Sequence, residues 1–220
     1  MKGDLWAMFV FLGLIVATTA AALLAERFSI SGRSRHAARR AKPTPIAGVR
    51  DGATAVVVGR VRFAGRSLEA PLSGRRVCHY AASCDDDTGC AYVYGDYCAV
   101  GRSVSERYAL DFLVEDGSST ALVRVDSGAS FDVTAHPVSR DASSDRVRAF
   151  LTRKGESGDS GAWSASEGVI EEGTVVSVYG IGEWEPDPSG DVRFAGYRDA
   201  PRRLVLRAPE GLHLYIREIR

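Results

Sequence analysis

The chain has 220 residues, 28 of them basic and 28 acidic, with a formal net charge of zero at neutral pH. That balance removes the overall basic field expected of a nucleic-acid binder, so no nucleic-acid partner is expected. The length suits one domain with an appendage, and no internal repeat is evident.

Residues 1–4 form a short tail. Residues 5–25 (LWAMFVFLGLIVATTAAALLA) are 21 residues without a charge. As a helix at about 1.5 Å per residue, they cover the ~30 Å hydrocarbon core of a bilayer. Trp6 stands near one end, where an aromatic anchor is expected. A cleaved signal peptide is the rival reading, with Ala20 and Ala22 as a small-residue site. The run is long for a signal core, and Lys2 is offset by Asp4, so a retained transmembrane helix is favoured. Residues 26–48 then carry Arg27, Arg33, Arg35, Arg39, Arg40 and Lys42, with no acid between Glu26 and Asp51. Positive flanks stay on the cytoplasmic side, which places the remainder of the chain in the cytoplasm of a single-pass protein at the cell membrane. The segment reads as a basic juxtamembrane linker, with Pro43 and Pro45 near its end.

Residues 49–220 read as β structure. Valine-rich or alternating runs at 54–65, 107–116, 119–126, 174–184, 191–197, 202–208 and 211–219 are separated by Gly, Asp, Pro and Ser turns. This predicts a mainly β domain, an antiparallel barrel-like or sandwich fold, OB-like as one option. Phe112 and Val114 share one face, opposite Asp111, Leu113 and Glu115, so that strand has one buried side. Only 144–155 and 164–173 read as short soluble helices.

All four cysteines fall within residues 78–98. If 75–84 and 90–98 are strands joined at 85–89, Cys78, Cys84, Cys90 and Cys98 share a parity and one face of a hairpin. Cys84 then faces Cys90, and Cys78 lies within one register step of Cys98. Six strand residues put Cys78 about 20 Å from Cys84, too far for one tetrahedral zinc. Two cross-strand disulfides fit the distances but conflict with a cytoplasmic domain. Three readings stay open: reduced core cysteines inside the cell, two disulfides in an extracytoplasmic domain, or a metal on a distorted hairpin. No cofactor and no metal site is expected.

TAHP (134–137) and GDSGAW (158–163) invite a serine-protease reading, with Ser160 as nucleophile and His136 as base. The two are only 24 residues apart, with no orienting acid at a suitable place. A serine hydrolase is therefore the last of the alternatives, and no catalytic residue is assigned. The remaining histidines, His36, His79 and His213, lack metal-ligand spacing. The G-x-G at 180–182 precedes no helix and is no phosphate loop.

At APLSGRRVCHY (70–80) the sequence resembles the GIDE domain, or beside-a-membrane domain, of Mulan/MAPL-type membrane ubiquitin ligases and many prokaryotic membrane proteins. The shared features are Pro71, Leu72, Ser73, Gly74 and Tyr80, then a strand ending in an acidic turn at Asp116. Glu167, Ile170, Gly173, Val176, Val178 and Gly180 match a later E-x-x-I-x-x-G-x-x-V-x-V-x-G pattern. Independently of the resemblance, Pro71 and Gly74 make 70–74 a hairpin corner. Arg75 and Arg76 open the next strand, where an exposed salt bridge is expected. The ligases also carry a second membrane helix and a RING, and these 220 residues hold neither, nor the C-x-x-C pairs of a RING. The resemblance therefore implies a membrane-anchored module that binds a protein or small-molecule partner. A ubiquitin-ligase-related member, or an adaptor lacking its own RING, is the alternative.

Overall fold

In the computed structural model, described residues are 14, 18–19, 29–86, 102–125, 128–138, 140–156, 163–187 and 202–219. Strand β1 (Ala53–Phe63) is rich in valine and small residues and buries Val57 and Val61 completely. A strand of this kind needs partners on both edges, and it has them. β1 pairs antiparallel with β5 (Phe112–Glu115) and with β10 (Val175–Pro186). β5 pairs with β6 (Thr120–Val123), β6 runs parallel to β11 (Arg202–Arg207), and β11 returns to β10. Five strands thus close on themselves, in the order first, second, third, fifth, fourth, first. Closure removes the exposed edges that an open sheet of this composition would present. The barrel is filled by Val57, Val61, Phe112, Val114, Val123, Val178, Leu204 and Leu206. The one-sided burial expected of the second strand is present: Phe112 and Val114 face the core. β12 (Leu214–Glu218) extends the sheet from β10, and β7 (Ala129–Asp132) lies parallel to it.

Two insertions build a second layer. β2 (Leu68–Glu69), β3 (Arg76–Asp86) and β4 (Ser103–Ala109) fall between the first and second barrel strands. β8 (His136–Pro137), helix α2 (Arg140–Arg153) and β9 (Trp163–Glu171) fall between the third and fourth. β3 is the centre of this inserted sheet, with β9 on one edge and β4 and β2 on the other. Phe150 and Leu151 of α2 are buried against Leu72, Val77, Ala82 and Cys84, giving the insert its own apolar core.

Several expectations need correction. The run expected as a helix at 164–173 instead forms strand β9 up to Glu171 and then a turn, because pairing with β3 along the whole strand outweighs the local helix preference of Ala and Glu. The run at 107–116 is two strands in two sheets, breaking after Ala109 and resuming at Phe112. The basic segment read as a linker contains an eleven-residue helix, α1 (Ile30–Arg40). Ser29 caps it by accepting from Gly32 N–H at 3.0 Å. α1 is docked rather than free. Ala37 and Ala38 pack on Tyr179 and Tyr215, and Ser34 Oγ accepts from the His213 amide at 2.8 Å.

Among the described residues, no helix is long and apolar enough to cross a membrane. The 5–25 segment lies outside them except for Leu14, Thr18 and Thr19, which are helical. The strand expected at 191–197 also lies outside.

Candidate functional site

The turn at 71–74 connects β2 to β3. Its geometry is dictated locally: Gly74 adopts φ +73° and donates to the Ala70 carbonyl at 2.8 Å, while Ala70 donates to Arg75. A side chain other than glycine is strained at that φ. The turn leaves the Leu72 and Ser73 amides pointing inward. Both donate to one carboxylate, Glu167, at 2.9 and 3.0 Å. Glu167 is 4% exposed and stands on β9, 95 residues away from Leu72 in sequence. A buried carboxylate is tolerated only when its oxygens are satisfied, and here the turn satisfies both. The two stretches that carry the family resemblance are thus tied into one hydrogen-bonded unit.

Tyr80 lies on the same face of β3 as this unit. Its hydroxyl donates to Glu106 at 2.5 Å, and Lys154 Nζ meets the same carboxylate at 2.7 Å. Hydrogen bonds from Lys154 and Tyr80 hold the Glu106 carboxyl below its ordinary range. Burial, with Glu106 beside it, pushes Tyr80 up to about 12. Pro71, Tyr80, Glu106, Phe150 and Arg153 line a cleft of about 310 Å³ between the turn and α2. Both acids among the described lining residues have a cation: Glu106 has Lys154 and Arg153, and Glu69 has Arg146 at 2.8 Å. Arg75 makes the exposed bridge expected of it, to Glu171 at 2.9 Å.

The other resemblance-bearing residues sit elsewhere and serve the barrel. Asp116 closes the β5–β6 turn, accepting from Ser118 and Ser119 and, at 2.6 Å, from the Ile46 amide. Burial works to raise its pKa, but these hydrogen bonds outweigh burial and hold it low. Gly173 sits in the β9–β10 turn and donates to Val61. Gly180 marks a close approach: a Cβ there would lie 2.7 Å from the Arg207 carbonyl and 2.8 Å from Leu214.

The cysteine geometry differs from the expected hairpin. Over Cys84, β3 pairs with β4 on one side and β9 on the other, so Cys84 faces Val104 and Ala165. A bulge also falls at Cys78, where Val77 pairs with Glu171 and His79 with Ile170. The extra residue rotates the strand, so Cys78 and Cys84 no longer share a face. Cys78 enters the barrel core and Cys84 the insert core. Both are free, buried thiols; burial pushes Cys78 up to about 12 and Cys84 to about 11. The shared-face pairing of Cys78 and Cys84 with Cys90 and Cys98 therefore fails at two of its members. Cys90 and Cys98 lie outside the described residues. His136 is exposed on β8, and Ser160 lies outside the described residues. Among the described residues, no cluster of three or more His, Cys, Asp or Glu could hold a metal.

A second cleft, of about 500 Å³, separates the other face of the inserted sheet from the barrel end. It is bounded by His79 and Arg107 from β3 and β4 and by Phe131 and Val125 from the barrel side. The imidazole of His79 stacks flat on Phe131, ring centres 3.8 Å apart. His79 is 3% exposed, and burial, aided by Arg107, pushes its pKa down to about 4, although the Tyr108 backbone works in the opposite direction. These residues carried no signal in sequence, because β7 and β3 meet only through the barrel's topology. Comparison of the chain with protein-family models, with curated proteins and with solved structures gives no match.

Proposed function

We propose that this chain is a single-pass membrane protein whose β domain is a GIDE-like binding module rather than an enzyme. The ring order first, second, third, fifth, fourth, first supports an OB-like reading of the barrel. The observation that carries the binding reading is the cleft between the barrel end and the inserted sheet. Concave, partly apolar space between two layers is where ligand sites concentrate. Residues 5–25 supply the anchor, and the basic helix α1, docked on the barrel, fixes the domain close to the bilayer on the cytoplasmic side. The partner is a protein or small molecule, not a nucleic acid.

Alkaline carbonate extraction of membranes tests the anchor. The full chain is expected in the pellet, and a chain lacking 5–25 in the supernatant. Recovery of the intact full chain in the supernatant would contradict the anchor. Ubiquitin transfer by the purified chain would favour the ligase-related reading. Labelling of Ser160 by a fluorophosphonate would favour the hydrolase.

A further inference from the structure

We propose that the cleft between the inserted sheet and the barrel end binds a small organic anion with a flat apolar body, its anionic group held by Arg107. This deepens the reading of the domain as a binding module and rests on it.

The charge pattern comes first. Five arginines in and beside the inserted sheet and α2 face a carboxylate: Arg75 has Glu171, Arg102 has Glu156, Arg146 has Glu69, Arg148 has Asp145 and Arg153 has Glu106, while Arg76 bonds Ser67 and lies over the Phe63 ring. Arg107 has no carboxylate within ion-pair distance among the described residues, although it stands in the middle of β4. It is also the only formally charged group among the described residues that line the cleft. A guanidinium left unpaired at the mouth of an apolar space suits a carboxylate or phosphate, which it can grip with two parallel N–H donors.

The walls set the body of the ligand. Ala81, Ala109 and Val125 give small, apolar surfaces, and the His79–Phe131 stack gives a flat one. Such walls accept a ring or a short branched chain and offer little to a sugar or a peptide backbone. His79 Nδ1 is buried with no hydrogen-bond partner. A buried polar nitrogen without a partner is uncommon and marks this wall as incomplete. The low pKa of His79 keeps the ring neutral near pH 7, so it adds no second cation and the anion is read by Arg107 alone.

The test uses the full chain in nanodiscs of zwitterionic lipid, with empty nanodiscs as the blank. Saturation-transfer NMR is recorded with 2-naphthoate and with its neutral isostere 2-naphthamide. Wild type is expected to saturate with naphthoate and to bind the amide more weakly. Arg107→Gln is expected to weaken naphthoate by about tenfold while leaving the amide unchanged. Ala81→Trp, which fills the cleft from an exposed strand position, is expected to abolish both signals. Ala81 and Arg107 are both exposed, so the fold is retained in each variant, as near-UV circular dichroism would confirm. No transfer to wild type, transfer that survives Ala81→Trp, or equal affinity for acid and amide would overturn the proposal. Carbonate extraction reads the anchor separately, so a chain that is not anchored and a cleft that binds nothing give different results.

Discussion

In the barrel, Phe112, Val61, Leu204 and Leu206 are fully buried in one large apolar cluster, and the ring has no open edge. In the inserted sheet, the apolar core is smaller, and specific polar ties set its geometry: Glu167 on the 71–74 turn, and Glu106 shared by Tyr80 and Lys154. The barrel is therefore specified by shape and closure, and the insert by a few ties that can be cut singly. Function is better placed on the insert, since a layer held this way can carry a cleft on each face without opening the barrel.

The largest effect should come from the barrel itself. Phe112→Ala is expected to cost about 4 kcal/mol, lowering the midpoint of chemical unfolding for both layers together. A loss confined to the insert would break the comparison. The next effect is at the junction. His79 is pushed down to about 4 from its ordinary 6.5, so between those values the unfolded chain binds the proton and the folded one does not. Stability should then be full above about pH 6.5 and fall by about 3 kcal/mol as the pH drops to 4. Unfolding midpoints across that window should slope for wild type and flatten for His79→Phe, which keeps the stack on Phe131.

Glu167→Ala should cost about 2 kcal/mol, because it strands the Leu72 and Ser73 amides without an acceptor, and Glu167→Gln should fall in between. Proteolysis is expected to nick the 71–74 turn in the alanine variant while the barrel stays intact. The smallest effect is Tyr80→Phe, about 1 kcal/mol, since Glu106 keeps Lys154 and Arg153. A calorimetric melt would resolve it, and a loss as large as that of Glu167→Ala would show that Tyr80 is a principal tie.

The barrel was far more legible in the sequence than the insert. β1, β5, β6, β10, β11 and β12 follow from their valine- and leucine-rich runs and the turn residues between them, although β6, β11 and β12 each bury three residues in a row and only β5 alternates cleanly. The insert defeats such reading for local reasons. β9 buries a carboxylate, Glu167, beside Gly168, so it offers no apolar run, and only its pairing with β3 makes it a strand. β3 finds its partner at 103–109, beyond the nearer run that a tight hairpin would have used. The bulge at Cys78 cannot be seen from composition, yet it sends two cysteines of equal parity into different cores. The 70–80 motif was legible as a unit, but its buried acceptor at 167 was visible only as part of a separate pattern. α1 had its capping serine and its run of Ala and Arg in plain sight, and its polar composition hid them.

Native-state hydrogen exchange on the full chain, wild type against Glu167→Ala, tests the two-layer account most directly. The account predicts faster exchange at Leu72, Ser73 and along β3 and β9 in the variant, with β1, β10 and β11 unchanged. Equal acceleration in the barrel strands would contradict it, since the two layers would then be one cooperative unit.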